Sequence, residues 1–148
     1  MKRHPALVAL SEDHHHELVQ ARRLLTAAGG PPDERTRVAS AYVDLFFSET
    51  VEHFRREEET VFPLYAGHPA ANTELLERVL REHMELHGLA RGLRTEAAAG
   101  DVSGETLAQL GALLRAHVRL EERELFEDVQ RLVPADELDT LVSHREGR

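Results

Sequence analysis

The chain has 148 residues, a formal charge of −9, 41% hydrophobic and 30% charged residues, and no cysteine. That length and balance suit one globular domain spanning 1–148, and the acidic excess argues against a nucleic-acid or anionic-membrane partner. Lack of cysteine excludes disulfides, thiolate metal sites and iron–sulfur clusters; no apolar run reaches the ~20 residues of a membrane span.

The apolar run Pro5 to Leu10 behind the basic N-terminus is too short for a signal-peptide core, so a cytoplasmic protein is expected. Breaker clusters at Gly29–Asp33, Gly67–Pro69, Gly100–Gly104 and Val133-Pro134 divide the sequence into helical segments. The first helix is predicted to start at Ser11 as N-cap, with Glu12 and Asp13 in its first turn and Leu18, Ala21 and Leu25 on its inner face.

The second helix is predicted from about Asp33 to about Phe62, with Val43, Phe46, Phe47, Phe54 and Val61 inward and Pro63 ending or kinking it. A third begins at Asn72 or Thr73 and carries Leu76, Val79, Leu80, Leu86, Ala90 and Leu93 inward. The fourth opens after Ser103-Gly104, with Leu107, Leu110, Leu114, Val118 and Leu125. Beyond Pro134, residues Ala135 to Val142 read as a short fifth. The expected fold is all-α: an up-down-up-down antiparallel four-helix bundle with a short C-terminal fifth helix.

Polar residues interrupt the apolar stripes. His117 and Glu121 align with Leu110, Leu114 and Leu125; His53 and Glu57 follow Phe46 and Thr50; His83 and His87 continue the row of Leu76, Val79 and Leu80. In the run His14-His15-His16 only one ring can point inward; His14 has a better phase than His15, and His16 faces solvent.

Spacing alone decides nothing, because a chain so rich in His, Asp and Glu gives roughly two or three i,i+4 pairs by chance. Placement decides: each pair sits on a different helix, inward and near mid-length, where antiparallel helices share one level. Buried carboxylates without a partner cost several kcal/mol each, so cations must compensate them. Imidazole with carboxylate is a usual ligand set for metal ions.

These segments resemble the hemerythrin family and its bacterial hemerythrin-like domains: Leu10-Ser11-Glu12-Asp13-His14, His53-Phe54-Arg55-Arg56-Glu57-Glu58, His83-Met84-Glu85-Leu86-His87 and His117-Val118-Arg119-Leu120-Glu121-Glu122. The resemblance implies two Fe ions in an oxo- or hydroxo-bridged di-iron centre. His14, His53, His83, His87 and His117 would then be imidazole ligands, and Glu57 and Glu121 the bridges.

Oxygen-carrying members place an Asp five residues after the last histidine, whereas Glu121 stands at +4, as in the bacterial branch. An open coordination position would take a small diatomic or peroxide ligand: dioxygen, peroxide or nitric oxide. Catalase-like peroxide disproportionation is the preferred enzymatic reading; the alternative is a redox or oxygen sensor, or an iron-handling module without turnover. Glu58, Glu59, Glu122 and Glu124 read as an acidic face, with Glu58 and Glu122 also placed to support ligands. His4, His68 and His144 fall in termini or loops.

Overall fold

A computed structural model describes residues 2–146, with side chains to Val142. The side chain of His144 lies outside the described residues. Five helices make up the fold, and no strand occurs among the described residues. We number them α1 (Pro5–Ala28), α2 (32–66), α3 (Thr73–Ala99), α4 (104–132) and α5 (Ala135–Glu146). None is long and apolar enough to cross a membrane.

The helix starts follow local chemistry. Asn72 caps α3 by accepting from the Leu75 N–H, which settles the choice between Asn72 and Thr73, and Ser103 caps α4 by accepting from Glu105 and Thr106, so that helix begins at Gly104 itself. The start of α1 is corrected from Ser11 to Pro5. His4 is its N-cap, its ring accepting from the Ala6 N–H, and Pro5 occupies the first turn, where no N–H is needed.

Ser11 instead donates to the Glu122 carboxylate at 2.9 Å. The added turn buries Leu7 and Leu10, each worth roughly 1.5–3 kcal/mol when fully removed from water. Helix α2 likewise runs on to Ala66, past Pro63, which stands two residues after the last residue of a widened turn and does not end the helix.

Two apolar clusters fill the interior. One gathers Leu24, Tyr42, Phe46, Leu86, Leu110 and Leu114; the other gathers Leu7, Phe62, Tyr65, Val79, Leu125 and Phe126, with Leu138 of α5. Helix α1 packs on α4 and α2, and α3 packs on α2 and α4, so the four long helices form a closed ring of neighbours. Four inward assignments shift. On α1 Leu18 and Leu25 are half-buried, while Glu17 and Leu24 join Ala21 among the buried residues; on α3 Leu80 is half-buried; on α2 Phe47 is half-buried beneath the Arg94 guanidinium, 4.4 Å from its ring centre.

Candidate metal centre

Between the two apolar clusters lies a polar layer to which all four long helices contribute. Helix α1 brings His14, α2 His53 and Glu57, α3 His83, and α4 His117 and Glu121. Each is buried, with Glu57 and Glu121 at 0% exposure and His14 at 1%. Their donor atoms fall into two groups, each within 4.8 Å: His14, His53, Glu57 and Glu121, and His83, His117 and Glu121.

Both glutamates span the pair of groups. Glu121 places Oε2 2.8 Å from His14 Nε2, and Oε1 2.9 Å from His117 Nε2 and 3.1 Å from His83 Nε2. Glu57 places Oε1 3.4 Å from His53 Nε2 and 3.3 Å from His83 Nε2, with Oε2 3.6 Å from His14 Nε2.

Backbone geometry marks the same two residues. A π turn begins at each: the Glu57 carbonyl accepts from the Phe62 N–H, and the Glu121 carbonyl from the Phe126 N–H. Such single wide turns inside α-helices are frequent at functional sites. A third, Phe46–Thr50, lies one segment earlier on α2.

Behind the imidazoles runs a cyclic pattern. Asp13 of α1 holds Nδ1 of His53 on α2 at 3.0 Å, and Glu58 of α2 holds Nδ1 of His83 on α3 at 2.7 Å. Glu82 of α3 holds Nδ1 of His117 on α4 at 2.8 Å, and Glu122 of α4 holds Nδ1 of His14 on α1 at 3.1 Å. Each acid is adjacent in sequence to a residue of the centre. Donation from Nδ1–H to these carboxylates leaves every Nε2 facing the interior, the arrangement of a ligating imidazole. Ring packing locks the planes further: Phe54 stacks on His83 with centroids 3.8 Å apart, and Phe126 on His14 at 5.2 Å.

Charge is the dominant quantity here. Burial disfavours imidazolium, yet the surrounding carboxylates win: His53 and His83 rise to about 10, His117 to about 9, and His14 well above its ordinary value. Burial disfavours the Glu121 carboxylate too, but His117, Glu57 and His14 hold it well below the usual range; Glu57 is also lowered.

Raised imidazoles and lowered carboxylates thus favour opposite charges side by side in this layer. Close approach does not bring directed hydrogen bonds to all of them: Glu57 Oε1 and Oε2, Glu121 Oε2 and His117 Nε2 are buried without one. Lone pairs that converge without directed N–H partners are what a cation satisfies, so the donor set fits metal ions.

Six of the seven expected ligands converge in these groups. The seventh, His87, lies outside both, half-buried with its ring 5.2 Å from Phe46 and 6.0 Å from Phe54. His15 and His16 are exposed, which selects His14. Asp13, Glu82 and Glu17 went unrecognised in the sequence, although an acid beside a ligand was the available signal for the first two. Glu17 is buried on α1, both carboxylate oxygens lack a partner, and burial raises its pKa; Tyr42 nearby is buried with an equally unpartnered hydroxyl.

No curated protein and no solved structure gives a significant match to the chain. A family model does: the hemerythrin HHE cation-binding domain matches residues 6–129, a span that contains every residue of the centre. With the matching span and the buried histidine–glutamate layer in register, the chain belongs to the hemerythrin HHE cation-binding family.

Proposed function

We propose that the protein is a non-haem di-iron protein that binds or reacts with dioxygen, peroxide or nitric oxide. His14 and His53 would hold one ion, His83 and His117 the other, with Glu57 and Glu121 between them. His87, one turn beyond His83 on α3, completes the imidazole set in this reading. The closed ring of neighbouring helices supports an up-down-up-down antiparallel arrangement of α1 to α4.

One observation carries the reading: two fully buried carboxylates, with oxygens lacking hydrogen bonds, each approach imidazoles from both donor groups. Iron, when bound, supplies redox change and an exchangeable coordination position. The chain's own part is to hold Nε2 atoms inward through the four acids, to keep Glu57 and Glu121 charged, and to exclude water with the flanking apolar clusters.

The test is direct. Protein from iron-replete cells is expected to carry two irons per chain, and its oxidised form to show near-ultraviolet charge-transfer bands that change with azide. Absence of iron, or a spectrum indifferent to azide, rejects the reading. Oxygen evolution from peroxide by the iron-loaded protein then separates disproportionation from binding or sensing without turnover.

A further inference from the structure

We propose that a cavity between α1 and the Phe46–Thr50 π turn is the route by which a divalent cation enters the centre, with Glu17 as the residue that receives it. The inference rests on the metal-centre reading above. A cation needs such a route because apolar clusters fill both sides of the polar layer, and an acid stands behind each of the four imidazoles.

The cavity has a volume of about 50 Å³ and is lined chiefly by Asp13, His16, Glu17, Glu49, Thr50 and His53. His16 and Glu49 are exposed, while Glu17, Thr50 and His53 are buried, so the lining runs from solvent to a member of the centre. A water needs only ~10–15 Å³ of such space, so an ion with part of its hydration fits.

Three features select a cation as the occupant. Asp13, Glu17 and Glu49 make the lining acidic, and no Arg or Lys contributes to it. Two larger cavities beside α1, of about 520 and 570 Å³, are lined by arginines instead and touch none of the six converged residues. Most telling is Glu17 itself: its oxygens can only accept while ionised, both are buried, and neither has a partner. Their position at the inner end offers a cation its first oxygen ligand out of bulk water. The π turn supplies the wall at Glu49 and Thr50.

The experiment follows uptake of Co²⁺ by metal-free protein in a stopped-flow instrument, read by visible absorption, alongside the final stoichiometry. Glu17→Gln is expected to load at least tenfold more slowly than wild type while reaching the same two ions per chain. Glu49→Arg, at the exposed mouth, is expected to slow uptake several-fold and to weaken its dependence on ionic strength.

Loading of both variants at the wild-type rate overturns the inference and leaves the metal centre standing. So does a Glu17→Gln variant that loses stoichiometry without losing rate. A wild-type chain that takes up no Co²⁺ overturns the metal centre and this route together.

Discussion

At the scale of single residues, the centre depends on charge that has nowhere else to go. Replacing Glu57 or Glu121 by Gln keeps the shape and removes the negative charge that both donor groups share. On the di-iron reading proposed above, either variant is expected to fall from two metal ions to at most one per chain, measured by elemental analysis. The acids behind the imidazoles act one step removed. Asp13→Asn and Glu82→Gln each remove the acceptor that orients a ligating ring, and are expected to weaken metal affinity by about 10–100-fold in a chelator competition. Glu82 is the sharper probe, since it is itself buried. The six converged residues were readable from phase and chain position, His14 as the better phased of two neighbours. His87 shares their phase but lies against Phe46, because the packing of its ring, not its helical register, decides where it points.

Helices add constraints that single residues do not. Each π turn inserts a residue into the turn, so the face that lines the centre changes downstream of Glu57 and Glu121. A uniform 100° projection cannot follow such a change. It also set Phe47, inside the first π turn, and Leu25, on the regular α1, further inward than the half-buried positions they hold. The α1–α4 contact is similarly exacting. A Cβ on Gly111 would lie 2.9 Å from Leu25 Cγ and 3.0 Å from the Ala21 carbonyl oxygen. Gly111→Ala is therefore expected to destabilise by about 1–3 kcal/mol despite the better helix propensity of Ala, as read from denaturant midpoints. At the C-terminus of α3, Gly100 has φ of 69°, and Gly100→Ala is expected to cost about 1 kcal/mol for the left-handed backbone.

For the whole molecule, protons and metal ions compete for one buried layer. His53 and His83 at about 10 and His117 at about 9 lie above the ordinary value near 6.5, so the folded metal-free chain binds protons more tightly than the unfolded one. That stabilisation is complete below about pH 6.5 and disappears as pH rises through 9 to 10. The metal-free protein is expected to lose Tm steadily from pH 7 to pH 10. A tenfold gain in proton affinity on folding corresponds to about 1.4 kcal/mol, and each kcal/mol to roughly 2–4 °C at this chain length. The loaded protein is expected to show the opposite trend, losing Tm below about pH 6 as protons displace the ions, because ligating imidazole is neutral. Differential scanning calorimetry of the two forms across pH 5–10 checks both slopes; parallel slopes would reject the competition.

The sequence by itself determined the all-helical class, the helix starts near Asn72 and Gly104, and the inward setting of His53, Glu57, His83, His117 and Glu121. All of these follow from local chemistry and helical periodicity, which a chain carries in its own order. Tertiary structure decided the rest: that α1 reaches back to Pro5, that the better phased His14 and not His15 enters the core, and that Asp13 and Glu82 join Glu58 and Glu122 in a ring behind the imidazoles. Those acids sit on helix flanks, where periodicity reads solvent. Only the approach of the neighbouring helix turns each flank into the place where a ring nitrogen must find its acceptor.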